Sequence, residues 1–185
     1  MKLDNKYQYV ILCEDAQMRG FIEAFLSYHG IKSRKMFVVS YPCGSGCGEA
    51  FVRREYPNEI RILQSTSYIR KVLIVCTDAD KYDVKERERF LENEAKAVIP
   101  KWNRDIEPVI MWIPKRQIET WIRFLREEDV TEEMTFSHSG KPVSCKDEAE
   151  RLALYCQDRI QIDDDKIRSI RFAKEEYIRV CKLQK

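Results

Sequence analysis

Three carboxylates come directly after apolar runs of strand length in this chain of 185 residues. Glu14 follows the run 7–13, and Asp78 and Asp80 follow the run 71–77. If the two runs are neighbouring strands of a parallel sheet, their carboxyl ends open into one crevice, which is where such sheets bind ligands. An extended Asp-x-Asp would also direct both aspartates to the same side.

Carboxylates gathered in this way repel each other unless a divalent cation lies between them. Their hard oxygen ligands favour Mg²⁺ or Mn²⁺, which can polarise a phosphoryl oxygen or activate water. The pattern therefore predicts Glu14, Asp78 and Asp80 as metal ligands. Simpler explanations stay open: the aspartates can form a solvated turn, and Glu14 can be a favourable charge at a helix N-terminus capped by Asp15.

A second charged group follows the apolar run 108–113. Glu119 lies one turn into the next predicted helix and could reach the crevice as a fourth carboxylate. Lys115 or Arg116 could bind a phosphate or offset charge on a leaving oxygen. The structural alternative is an exposed helix start with a Lys115–Glu119 ion pair at i, i+4 spacing.

The elements that must position these residues alternate between strand and helix patterns. Alternation of this kind indicates an α/β fold with a mostly parallel sheet of four to five strands. We expect a core domain over 6–126 and a C-terminal helical extension over 127–185, which packs on the core or docks a partner. The predicted strands are 7–13, 35–40, 71–77, 108–113 and, more weakly, 59–63; the predicted helices are 18–26, 49–56, 84–98, 118–125, 146–159 and 164–183.

Composition excludes several classes of protein. With 44% hydrophobic and 35% charged residues, the chain is not disordered. Its 33 basic and 31 acidic residues give a net charge of +2, so any binding of nucleic acid must use a local patch. The candidates for such a patch are Arg53, Arg54, Arg61 and Arg70. The alternative is that these arginines only form a solvent-exposed face. No apolar run approaches membrane-spanning length, and the seven cysteines are an odd number. We therefore expect a reduced, cytoplasmic protein outside the membrane.

Weaker signals lie elsewhere. The glycine-rich turn 43–48 is either a phosphate-binding loop or a plain strand-to-helix connection, and it lacks the Gly-Lys-Ser/Thr ending of a nucleotide P-loop. Cys43 and Cys47 have no second ligand pair nearby, which argues against zinc. His138 is a candidate general base if its loop folds over the site. His29, at the end of the first helix, suits the helix dipole.

The segments Val10–Glu14 and Val72–Asp80 resemble the two acidic motifs of the TOPRIM domain. That domain is shared by topoisomerases, primases of the bacterial type, OLD-type nucleases and small recombination or RNA-maturation proteins. The resemblance covers roughly residues 6–125 and implies a Rossmann-like core with metal-dependent phosphodiester chemistry at Glu14, Asp78 and Asp80. Residues 113–121 are similar to a segment of small TOPRIM-like proteins, including the RloB-like group, that are often encoded beside ATPases in bacterial defence modules.

These observations predict a Mg²⁺- or Mn²⁺-dependent nuclease acting on DNA or RNA, with an ATPase as partner in antiviral defence. Asp78 and Asp80 would hold the cation, Glu14 would act as ligand or general acid/base, and water would attack. The alternative is a non-catalytic TOPRIM-like module that binds and regulates a partner. Glycosyltransferases and acid-nucleophile phosphatases also use Asp-x-Asp, but Tyr82 stands where the phosphatases require Thr or Val. The sequence leaves the substrate and the oligomeric state open, a homo-oligomer included.

Overall fold

The computed structural model describes residues 1–39, 48–137 and 142–185. Four strands alternate with helices, as the pattern of apolar residues predicts. The strands are β1 (Gln8–Cys13), β2 (Met36–Val38), β3 (Lys71–Cys76) and β4 (Val109–Trp112). The helices are α1 (Ala16–Tyr28), α2 (Gly48–Ser65), α3 (Val84–Val98), α4 (Ile118–Leu125), α5 (Lys146–Cys156) and α6 (Arg168–Leu183).

The strands form one parallel sheet in the order β2-β1-β3-β4. The predicted α/β class and parallel sheet are confirmed, with four strands among the described residues. Cys13, the last residue of β1, pairs with Cys76, the last residue of β3. The two strands that precede the predicted carboxylates are therefore direct neighbours and end at the same level.

Both faces of the sheet are buried, as the continuous apolar runs of parallel strands require. Alternate residues point to opposite faces, so Ile11 packs with α1, α4, α5 and α6, while Leu12 packs with α2 and α3. The first face carries a cluster of aromatic rings in which Trp112 contacts Phe25 and Trp121 at centroid distances of 4.8 and 6.1 Å. Helices α5 and α6 thus share one apolar core with the sheet.

The weak strand predicted over 59–63 is wrong, because α2 continues through this segment to Ser65. The buried residues Val52, Tyr56, Ile60 and Leu63 fall at helical spacing and pack against the sheet. Pro57 lies inside the helix and removes one backbone hydrogen bond. The burial of this apolar stripe outweighs both the proline and the strand-like alternation of the local sequence.

The last helix covers the edge of the sheet at β4. Glu176 of α6 is 3% exposed, and its Oε2 accepts the backbone N–H of Met111 at 3.1 Å. Arg179, one turn later, donates to the backbone carbonyls of Glu107 and Val109 and to Glu176 itself. Side chains of a helix therefore satisfy backbone groups that a further strand would otherwise pair.

Helix α1 begins at Ala16, two residues before the predicted start, and Asp15 caps it, as the simpler explanation of this segment holds: its carboxylate accepts the Met18 N–H at 2.8 Å. Its other end differs from the prediction. His29 is 1% exposed, and burial lowers its pKa to about 3, so the imidazole is neutral and adds no cation to the helix dipole. None of the helices in the described ranges is long and apolar enough to cross a membrane. The cysteines of the described ranges are free thiols.

Candidate active site

Glu14 lies at the carboxyl end of β1, beside the residues that follow β3. Its Oε1 accepts a hydrogen bond from the Thr77 hydroxyl and another from the Asp78 backbone N–H at 3.0 Å. Burial raises the pKa of Glu14 to about 7, and these two hydrogen bonds oppose the rise. The carboxyl is therefore partly protonated near neutral pH and can accept or release a proton.

Asp78 contributes the second carboxylate of this crevice. Its Oδ1 is buried and has no hydrogen-bond partner within the described ranges. Burial raises the pKa of Asp78 well above its usual range, and the negative charges of Glu14 and Asp15 raise it further. A buried carboxylate oxygen without a donor is costly, so a proton or a nearby positive charge would stabilise Asp78.

Asp80 does not continue the extended chain that the Asp-x-Asp spacing predicts. Its φ is 55°, in the left-handed region that aspartate tolerates, and its side chain is 58% exposed. The chain turns here because the Ala79 N–H donates to the Pro114 carbonyl at 2.8 Å and the Tyr82 N–H donates back to Ala79 at 3.0 Å. The prediction that Asp78 and Asp80 project from one extended strand is therefore wrong.

Arg87 of α3 holds the Asp80 side chain at the wall of the crevice. It is 5% exposed, and its Nη2 lies 3.5 Å from Asp80 Oδ2. Its Nη1 lies 2.5 Å from Oε1 of Glu49 on α2, and its guanidinium carbon lies 5.5 Å from the centre of the Tyr82 ring. The sequence prediction missed Arg87, although a cation in the buried stripe that contains Leu91 was an available signal.

Gly48 lets the first turn of α2 approach Glu14 closely. A Cβ atom at this position would lie 2.8 Å from the Glu14 Cβ and 2.9 Å from the Glu14 carbonyl oxygen. Any other residue would push the helix and the strand end apart. Residues 43–47 of the glycine-rich turn lie outside the described residues, with Cys43 and Cys47 among them. His138 also lies outside the described residues.

Lys115 and Arg116 lie at the crevice but are already engaged. Lys115 Nζ donates to the Tyr82 carbonyl at 2.7 Å, and Arg116 Nη1 donates to the Asp80 carbonyl at 2.6 Å. Both side chains also pair with Glu133, at 3.7 Å from Lys115 and 2.5 Å from Arg116. They therefore fix the turn after β3, and a phosphate would have to replace Glu133 to reach them.

Glu119 lies in the first turn of α4, and its charge contributes to the raised pKa of Asp78. Asp78 thus lies within electrostatic range of both Glu14 and Glu119, and Asp80 lies beside them with its side chain turned toward Arg87. Within the described ranges, no three His, Cys, Asp or Glu side chains already form a group that could hold a metal ion. The pair Glu14–Asp78 fits a hard cation by donor type, whereas Asp80 fits only after it leaves Arg87.

The chain matches no protein-family model, no curated protein and no solved structure. Its function is therefore inferred from the chemistry of the crevice.

Proposed function

We propose that this protein hydrolyses phosphodiester bonds of DNA or RNA with Mg²⁺ or Mn²⁺ held at the carboxyl ends of β1 and β3. The observation that supports this most directly is the buried Oδ1 of Asp78, which has no donor in the described part of the chain, next to the Glu14 carboxyl. A divalent cation would compensate both carboxylates and reverse their raised pKa values. The resemblance of the two motifs to the TOPRIM domain supports the same chemistry.

In this proposal Glu14, Asp78 and Asp80 hold the cation, and Glu119 is a fourth carboxylate of the crevice. When bound, the cation supplies Lewis-acid chemistry at a phosphoryl oxygen. Asp80 is exposed on a turn, so it can exchange Arg87 for the cation without unfolding an element. The Arg87 guanidinium is then released from one of its two carboxylates and can face a phosphate.

The chain's own residues would then position the proton transfers. Thr77 and the Asp78 N–H fix the Glu14 carboxyl, which would either ligate the cation or accept a proton from an attacking water. Arg116 and Lys115 lie beside the same turn, where an anionic phosphate that displaces Glu133 would find two cations. No protein nucleophile is required.

The experiment combines Mn²⁺ calorimetry with cleavage of plasmid DNA, single-stranded DNA and RNA. We expect the wild type to bind Mn²⁺ and to cleave at least one of these substrates. Asp78→Asn should abolish both, with a loss of cleavage of about 100-fold or more. Glu14→Gln separates two roles: a ligand is required for Mn²⁺ affinity, whereas a proton acceptor is required only for turnover. Glu150→Gln, exposed on α5, is the matched control. Unchanged cleavage by Asp78→Asn would remove the crevice from the mechanism.

One observation favours a second candidate, a non-catalytic module that binds and regulates a partner. Arg87 already pairs with Asp80 and Glu49, so a protein cation occupies the wall of the crevice. In that case the wild type would not respond to Mn²⁺ in calorimetry, and Arg87→Gln would destabilise the protein in the presence and absence of the ion alike. Mn²⁺ binding together with cleavage by the wild type, both lost in Asp78→Asn, excludes this candidate.

The resemblance of residues 113–121 to small TOPRIM-like proteins adds an ATPase partner to the proposal. A chain with a net charge of only +2 has little general electrostatic attraction for nucleic acid, so a partner could contribute part of the binding affinity. Cleavage assays with and without an ATPase encoded beside this chain test this point. Rates that do not change when the ATPase is added would contradict it.

A further inference from the structure

A second charged surface lies at the opposite end of the sheet from the carboxylate crevice. Lys6, Arg34, Lys35 and Arg70 line an open depression of about 520 Å³, together with Tyr68. These residues precede β1, β2 and β3, so they lie at the amino ends of the strands. The length of β1, six residues at about 3.3 Å each, separates the two ends of the sheet by roughly 20 Å. We call this group the amino-end basic surface.

The charges of this surface are not neutralised by neighbouring carboxylates. No Asp or Glu lines the depression, and the four cations form no ion pair within the described ranges. Lys35 Nζ donates to the backbone carbonyl of Asn5, and the Asp4 carboxylate accepts the backbone N–H of Lys6 at 2.8 Å and forms no ion pair with the Lys6 ammonium. Four cations in one depression contrast with a net charge of +2 for the whole chain.

Tyr68 adds an aromatic ring to these cations. It is 82% exposed, although a tyrosine normally buries most of its ring. Cations that follow a phosphate backbone, together with an exposed ring on which a base can stack, are the features of proteins that bind single-stranded nucleic acid. We infer that the amino-end basic surface binds single-stranded nucleic acid, with phosphates on its cations and a base on Tyr68.

This binding does not depend on the proposed hydrolysis, because it requires neither the crevice nor a metal. It is therefore measured in EDTA, as the fluorescence anisotropy of a labelled oligothymidylate of about 12 nucleotides, within the usual site sizes for single strands. Failure of binding here leaves the cleavage assay unaffected, and failure of cleavage leaves this binding intact. The two proposals can thus fail separately.

The salt dependence gives the expected size of the effect. For single strands the logarithm of affinity falls with the logarithm of salt concentration by about 0.7 for each phosphate contacted, so four contacts predict a slope near −3. Raising salt from about 50 to about 200 mM should then weaken wild-type binding about 50-fold. Arg34→Gln with Arg70→Gln removes two contacts and should reduce that loss to about 7-fold.

Single variants separate this surface from a general effect of charge. Arg70→Gln should lower the slope by about 0.7, whereas Arg89→Gln should leave it unchanged, because Arg89 is exposed on α3 and contributes nothing to the depression. Tyr68→Ala should weaken binding about tenfold without changing the slope, since it removes stacking and no charge. These positions are exposed, so we expect the wild-type thermal midpoint for every variant.

The inference is overturned if Arg70→Gln and Arg89→Gln have the same effect, or if Tyr68→Ala binds like the wild type. It is also overturned if an acidic polypeptide or vesicles of anionic lipid compete as well as the oligonucleotide, because the surface would then attract any polyanion. A duplex of the same length that binds more tightly than the single strand would likewise contradict the role of Tyr68.

Discussion

Replacing Glu14 with glutamine should stabilise the metal-free protein at neutral and higher pH. In the folded protein the pKa of Glu14 is raised from 4.5 to about 7 because the carboxyl is buried. An acid whose pKa is higher in the folded state holds its proton more tightly there, so folding loses stability as pH rises through this interval. The difference corresponds to roughly 3 kcal/mol, fully present below pH 4.5 and lost above about pH 7.

Glutamine carries no charge to desolvate, and its oxygen can still accept the hydrogen bonds of Thr77 and the Asp78 N–H. Its amide NH₂ needs a hydrogen-bond partner of its own, and the lack of one lowers the free energy of unfolding by about 1 kcal/mol. We therefore expect Glu14→Gln to be about 2 kcal/mol more stable than the wild type near pH 8 and about 1 kcal/mol less stable near pH 4.5. Removal of the Glu14 charge should also lower the pKa of Asp78.

The assay is urea unfolding in EDTA at both pH values, with Glu150→Gln as a control that should stay within about 0.5 kcal/mol of the wild type. Repeating it with Mn²⁺ at about 100 times its Kd should add about 2.7 kcal/mol to the wild type and less to Glu14→Gln. A variant less stable than the wild type at both pH values would refute the idea that burial of this charge destabilises the metal-free protein.

Three further predictions concern other parts of the molecule. His29→Phe should abolish a loss of stability of about 1.4 kcal/mol per pH unit as pH falls from 6.5 toward about 3, because only the unfolded chain takes up the proton there; urea titrations of the wild type and the variant measure this loss. Glu176→Gln should cost about 3 kcal/mol in urea unfolding by leaving Arg179 without its buried carboxylate, whereas Glu175→Gln, on an exposed neighbour, should have little effect. Gly48→Ala should lower stability by about 1–3 kcal/mol and weaken Mn²⁺ binding in calorimetry, since its methyl group would displace Glu14.

The positions of Glu14 and Asp78 could be predicted because each depends only on the end of a strand. Strongly apolar runs identified β1 and β3, and the rules of parallel sheets placed their carboxyl ends together. Predicting that these two strands are neighbours required no knowledge of how their side chains pack.

The orientation of Asp80 could not be predicted, because it depends on a contact with a distant segment. The turn after Ala79 is fixed by the Pro114 carbonyl and by Arg116, which lie more than thirty positions along the chain. Arg87 was missed for the same reason, since its partner Glu49 lies 38 residues away. The prediction of a strand at 59–63 is wrong because the local sequence allows both a strand periodicity and a helix periodicity. Burial of the helical stripe against the sheet favours the helix.

The arrangement of α6 also restricts how this sheet could grow. At β4 the outward backbone groups of Val109 and Met111 already bond to Arg179 and Glu176, so an added strand there would first have to displace a buried ion pair. The opposite margin, β2, is three residues long and carries the exposed ring of Phe37. Truncation of the C-terminal helix would therefore leave these β4 backbone groups unpaired and available to a strand of another chain.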